Sequence, residues 1–302
     1  MKEIQKKNIN KEAEITLEVN PGTATRQKLR DYKECGINRL SIGLQATQDS
    51  MLKQIGRIHN YSQFLETYNM AREIGFKNIN VDLMIGLPNQ KIMDLKESLK
   101  KIVDLQPEHI SVYSLIVEDG TPIANKIKQG ELELPNENME RNMYWYVKNT
   151  LELNGYKHYE ISNFSKSGYE SKHNMNCWNQ SQYYGFGVAA HSYRDITRYS
   201  NTTDINEYIK NVKHEKLARN RIIHEIQKEY DTEKEFMLLG LRKIEGVKID
   251  DFKSKFVKNP IYVFRNELKK LTDENLIAVD TNTIRLTPKG IDLANLVWEE
   301  FV

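Results

Sequence analysis

Residues 13–45 read AEITLEVNPGTATRQKLRDYKECGINRLSIGLQ. Ile15, Leu17 and Val19 alternate with polar neighbours, and Leu40, Ile42 and Leu44 do so again. A period of two marks strands with two unlike faces. Between them Leu29, Tyr32 and Lys33 fall at helical spacing, and Gly36 supplies a stop. This predicts the strand–helix–strand unit that builds parallel sheets. The second faces of the strands are unusual. Thr16, Glu18 and Asn20 share one phase, and Ser41, Gly43 and Gln45 share another. A filled barrel interior is Val, Ile and Leu, so polar residues there point to an interior wide enough for a ligand.

The same alternation continues outward. A helix is expected over 61–74 and ends at Gly75, and a third strand over 79–85 is broken by Leu87-Pro88. A helix over 92–105 ends before Pro107, and 110–115 reads as a fourth strand. This order predicts right-handed crossovers and a parallel, barrel-like sheet. Four strands do not close a barrel, so the expected α/β sheet is open or incomplete. Beyond Gly120-Thr121-Pro122 the character changes. Residues 137–153 read as a long helix with Tyr144, Trp145 and Tyr146, and 156–161 as a strand. Residues 171–193 are rich in Asn, His, Trp, Tyr and Gly with little periodicity, 204–214 reads as a short helix, and 213–228 as a charged connector. Residues 1–11 read as the tail of a helix.

From 229 a small domain is expected. Phe236, Leu239 and Ile244 would line one helix and 261–271 another, followed by a hairpin over 276–286 and a helix from Pro288. That order is winged-helix-like. Residues 229–302 carry 12 Lys+Arg against 14 Asp+Glu, without the basic stripe of a DNA module, so no nucleic-acid partner is expected. The expected domains are therefore 1–124, 125–228 and 229–302.

The whole chain has 302 residues with Lys+Arg 44 against Asp+Glu 42. That balance demands neither nucleic acid nor an anionic membrane. No apolar run approaches a membrane span and no signal-peptide pattern is present, which predicts a cytoplasmic protein. The two cysteines, Cys35 and Cys177, form no short-spaced pair.

In parallel barrels ligands sit at the carboxyl ends of the strands. Glu18, Asn20, Gln45, Asp82 and Met84 fall there, and Arg57 follows the second strand. Two carboxylates, an amide and a guanidinium suit a zwitterionic nucleoside: carboxylates accept from ribose hydroxyls or ammonium, and a guanidinium clamps a carboxylate. No phosphate-binding glycine loop is present. A polar network that only satisfies itself is the other reading of the same residues.

Several linked motifs now add to this reading. ITLEVNPGT, GINRLSIGLQ, GRIHN and NVDLMIGLP occur in that order, followed by HNMNCW at 173–178, YYGFGVAAHSY at 183–193, EFMLLGLRKIEGV and RLTPKG. Together they resemble the HemN/HemW family of radical S-adenosylmethionine (SAM) proteins over nearly the whole chain. The resemblance implies a partial TIM-type barrel with a small helical C-terminal domain. It implies that Glu18, Gln45, Arg57, Asp82 and Met84 contact SAM. The family also carries a CxxxCxxC strand that holds a 4Fe-4S cluster, and a GGTP segment; neither occurs in this sequence. Cluster ligation needs thiolates close together. The resemblance therefore implies an N-terminal truncation or shifted start, no cluster in this chain and no radical chemistry from it.

HNMNCW resembles the family's HNxxYW signature, which implies heme ligation by His173, with Cys177 standing where the signature has Tyr. A thiolate is itself an iron ligand. His191 is the third candidate, a neutral imidazole being a common axial ligand. The bland alternative leaves these histidines bonded to loop carbonyls and Cys177 as a small buried hydrophobe. His59, His109 and His158 carry no comparable signal. The expected function is a heme chaperone that carries heme to an acceptor protein. Oxygen-independent coproporphyrinogen III dehydrogenation, and a non-catalytic heme-binding remnant or inert fragment, remain the alternatives. Whether this chain is an enzyme stays open.

Overall fold

The computed structural model describes residues 9–214 and 221–302. The chain divides into two compact units, Met1–Glu170 and Ser171–Val302. The helix tail expected over 1–11 falls mainly on residues 1–8, outside the described residues.

The first unit is built on one six-stranded sheet. Its strands are β1 (Thr16–Val19), β2 (Arg39–Gln45), β3 (Ile79–Ile85), β4 (His109–Ser114), β5 (Lys157–Glu160) and β6 (Asn163–Ser165), in the order β1-β2-β3-β4-β6-β5. The first four are parallel, and β6 pairs antiparallel with both β4 and β5. The expected open, parallel α/β sheet is thus present. The short antiparallel β6 was not legible, because three residues are too few to show a period.

Local signals explain the crossovers. The helix Arg26–Glu34 starts where Thr25 Oγ1 accepts from Lys28 N. The helix Tyr61–Ile74 has a reciprocal capping box between Asn60 and Gln63, and ends on Gly75 at φ 96°, a left-handed conformation that glycine adopts without a Cβ clash. In Ile92–Leu105, Asp94 accepts from Lys91 N, and Pro107 follows the helix's end. The helix Glu137–Leu153 is capped by Asn136. These helices cover the apolar sheet face. Leu40, Ile42, Leu44, Val81, Leu83 and Ile110 are fully buried with Leu29, Phe64, Leu99 and Val147. The other sheet face is left to polar residues.

The second unit holds two three-stranded sheets. β7 (His191–Arg194), β8 (Thr197–Asn201) and β9 (Arg221–Ile226) form an antiparallel meander. β9 corrects the connector expected over 213–228: RIIHEI forms an edge strand, exposed along its length, and its apolar signal is masked by flanking charges. Residues 215–220 of that connector lie outside the described residues. The aperiodic stretch from 171 opens with a helix, Lys172–Trp178, capped by Ser171.

Further along, β10 (Val247–Lys248), β11 (Ile277–Val279) and β12 (Thr283–Leu286) pair in the order β10-β12-β11. The helix Glu229–Gly240 carries Phe236 but stops before Ile244, and the expected 261–271 helix is two, Pro260–Val263 and Arg265–Asp273, broken at Phe264 (φ −110°, ψ 37°). An unanticipated helix, Ile249–Phe256, lies between. A cluster of Phe236, Phe252, Phe256, Phe264 and Phe301 rings forms the core here. No helix among the described residues is long and apolar enough to cross a membrane.

Candidate functional site

The polar face of the first sheet carries two kinds of residue. Deep in it, Asn80 Nδ2 donates to Ser41 Oγ at 2.9 Å and to Asp82 Oδ1 at 2.7 Å. Ser111 Oγ donates to Asn80 Oδ1 at 3.1 Å. His109 is fully buried, with Nδ1 2.6 Å from Asn80 Oδ1 and Nε2 2.7 Å from the Tyr159 hydroxyl. Burial holds its imidazole well below the ordinary range, so it is neutral. This ladder satisfies itself, as one reading of the sequence allowed.

The rim differs. Gly43 lies on β2 between three of the expected ligands. A Cβ at that position would lie 3.0 Å from Gln45 Nε2, 3.9 Å from Arg57 Nη2 and 3.9 Å from Asp82 Oδ2. Glycine therefore leaves a cradle onto which an amide donor, a guanidinium and a carboxylate converge. Gln45 follows a bulge in the β2–β3 pairing and adopts φ 72°; its Oε1 accepts from the Tyr113 hydroxyl at 2.9 Å, which turns Nε2 toward the gap. Arg57 Nη1 donates to Asn20 Oδ1 at 3.0 Å. Burial pushes the Asp82 carboxyl up, Asn80 and Ser111 pull it back, and the nearby Glu18 carboxylate raises it again. Met84 is buried against Ala46, Met51, Leu52 and Leu87, an apolar wall beside the polar rim.

The structure thus brings Gln45, Arg57 and Asp82 together, with Glu18 electrostatically coupled to Asp82. Tyr113 and Asn80 were missed as contributors, and Gly43, read on the interior-facing phase of β2, was given no role in binding. Tyr113 could have been found from its phase, two residues beyond Ser111; Gly43 carried no side-chain signal. Such a rim can take a ligand bearing hydroxyls, a carboxylate and an apolar ring. The same residues do not fit an iron–sulfur cluster. The sequence holds two cysteines, Cys35 after the Arg26–Glu34 helix and Cys177 in the other unit, and no group of three or more His, Cys, Asp or Glu among the described residues is placed to hold a metal.

In the second unit the heme candidates fall in two places. His173 and Cys177 lie one turn apart on the helix Lys172–Trp178, with Cys177 Sγ 3.9 Å from His173 Nε2. His173 is exposed and Cys177 half-buried. Burial pushes the thiol up. Trp178, next along the helix, stacks under the Arg242 guanidinium at 4.4 Å. His191 sits elsewhere, on β7, where its ring stacks on His224 of β9 at 5.3 Å; His224 Nε2 is 2.8 Å from Ser200 Oγ. His224 was missed because its strand was read as a connector. The GFG turn before β7 is fixed: a Cβ on Gly185 would lie 2.1 Å from the His191 carbonyl oxygen.

A parallel β/α sheet with a polar rim, followed in the chain by a second unit that ends in short helices and a three-stranded sheet, is the layout of a radical SAM protein with a HemN-type C-terminal domain. The Radical SAM superfamily matches residues 1–102 and the HemN C-terminal domain residues 231–293. The chain is 41% identical to heme chaperone HemW of Bacillus subtilis, over 96% of this chain and 76% of that protein. It is 36% identical to heme chaperone HemW of Lactococcus lactis, over 96% and 75%. In fold it is similar to coproporphyrinogen III oxidase (HemN) from Escherichia coli, with a TM-score of 0.81 over 99% of this chain and 72% of that one, at 22% identity. The chain belongs to the HemW/HemN-like family of radical SAM proteins.

Proposed function

We propose that this chain carries heme for delivery to an acceptor protein, binding it at the helix Lys172–Trp178. The observation that carries this reading is the His173–Cys177 pair, an imidazole and a thiol 3.9 Å apart on an accessible helix face. Both are iron ligands. Sequence similarity favours the chaperone over porphyrinogen dehydrogenation, since relatives named heme chaperone HemW reach 41% identity and the coproporphyrinogen III oxidase stands at 22%. An accessible site suits a carrier, which must release what it binds. The test is handover. Chain loaded with hemin and mixed with an apo-globin should lose its heme absorption as the globin gains it. Heme that never loads, or never leaves, contradicts the reading.

In the same reading the rim of the first unit holds SAM. Arg57 clamps its carboxylate, Asp82 and Glu18 accept from hydroxyl and ammonium groups, Gln45 donates from the side of the Gly43 cradle, and Met84 packs on the base. Bound SAM would supply a sulfonium centre at the rim; the residues here bind and orient it.

Gly43→Ala provides a fold-sparing test. The added Cβ meets the end of the flexible Gln45 side chain but fills the cradle. By equilibrium dialysis, Gly43→Ala and Arg57→Ala should each weaken SAM binding about tenfold or more, the scale of one charge-assisted hydrogen bond. Unchanged binding in both variants removes the rim from the account.

A further inference from the structure

The helix Lys172–Trp178 presents two different iron ligands side by side. His173 and Cys177 are four residues apart, so their side chains project from the same face, one turn above the other. A porphyrin occupies four coordination positions of its iron and leaves one axial position on each face. Neighbouring side chains of a single helix face cannot reach around the macrocycle to opposite faces. Metal–thiolate and metal–imidazole bonds are about 2.3 and 2.0 Å long. At a separation of 3.9 Å, the two donors are close enough for a rotation of either side chain to present one in place of the other to the same face.

We propose that His173 and Cys177 are alternative axial ligands on one face of bound heme, the Cys177 thiolate serving the ferric state and the His173 imidazole the ferrous state. The proposal rests on the heme reading above. Its basis is charge. A ferric porphyrin carries one net positive charge, which an anionic thiolate neutralises. The one-electron-reduced ferrous porphyrin is neutral, and keeping the thiolate would leave a net negative charge beside a half-buried sulfur. The neutral imidazole then binds better.

The step balances. On one-electron reduction by a small-molecule reductant such as dithionite, the iron–sulfur bond would break and the Cys177 thiolate would take a proton from solvent. The Nε2 lone pair of His173 then forms the iron–nitrogen bond. Oxidation reverses each change and returns the proton. Heme capture and heme release would accordingly proceed from different ligands.

The experiment is absorption and electron paramagnetic resonance spectroscopy of the full chain with hemin, before and after anaerobic addition of dithionite as the one-electron donor. The expected wild-type result is a thiolate-type ferric spectrum replaced by an imidazole-type ferrous one. Cys177→Ala should remove the thiolate signature and weaken ferric heme binding about tenfold, leaving the ferrous spectrum as in wild type. His173→Ala should do the reverse. Cys177→Ser and His173→Gln, closer in size, guard against loss of the helix, and circular dichroism reports whether it survives. One ligand type persisting through reduction, or a single substitution altering both states alike, overturns the exchange while heme binding stands. Absence of heme uptake by the wild-type chain overturns both the exchange and the heme reading.

Discussion

Replacing Arg72 by Met is expected to destabilise the first unit by about 2–3 kcal/mol, less than for a fully buried pair because both side chains keep some exposure. Arg72 projects from the helix Tyr61–Ile74 and donates from Nη1 and Nη2 to the two Glu108 oxygens, at 2.8 and 3.1 Å. It also donates to the Tyr68 hydroxyl and the Phe76 carbonyl. Glu108, whose side chain is only 13% exposed, accepts from Ile79 N at 3.0 Å as well. One carboxylate thus ties the start of β3 to the start of β4 and to a covering helix. Arg72→Met leaves that largely buried carboxylate without its counter-charge, with the Ile79 N–H donating to it. The double variant Arg72→Met/Glu108→Leu should recover part of the loss, because it removes the unpaired charge and forfeits only the acceptor for Ile79 N. Urea unfolding of wild type, single and double variants measures this. A single variant within about 0.5 kcal/mol of wild type, as for an ordinary surface substitution, contradicts it.

The second large effect is a loss of stability in mild acid. His158 stacks on Phe164 at 4.4 Å and is 5% exposed, and burial lowers its pKa from 6.5 to about 4. Above the unfolded value both states hold the neutral ring, and stability does not depend on it. As pH falls below 6.5 the unfolded chain takes up a proton that the folded chain refuses, so stability drops until the folded value is reached. For His158 this amounts to about 3 kcal/mol between neutral pH and pH 4. His109 acts in the same direction. Asp82 acts in the opposite direction, because its raised carboxyl is protonated first in the folded state. Unfolding measured at about pH 7.5 and pH 4 should show a difference smaller by about 3 kcal/mol in His158→Phe than in wild type. Equal differences would show that His158 does not carry the effect.

The strands β1 to β4 were legible because each buries one face and exposes the other to a polar interior, so the sequence alternates with a clear period. Their rim residues were legible for the same reason: Glu18, Gln45 and Asp82 occupy the polar phase, although only Gln45 ends its strand and Asp82 lies in the middle of β3. What escaped was three-dimensional convergence. The gap at Gly43 exists only because Gln45, Arg57 and Asp82 approach it from different elements. β9 and its His224 escaped because an edge strand with every residue exposed has no buried face to impose alternation. The helix Lys172–Trp178 escaped because none of its residues is fully buried, and without an apolar stripe a seven-residue helix leaves no periodic trace. The His173–Cys177 spacing was visible in the sequence, but only the helix turns it into a contact.

The most direct test of heme carriage is a hemin titration of the wild-type chain beside the double variant His173→Ala/Cys177→Ala. Wild type is expected to saturate at one heme per chain, with ligand-derived features in the spectrum. The double variant is expected to lose those features and at least about tenfold in affinity. Equal affinity and an identical spectrum in both chains would contradict heme carriage at these residues.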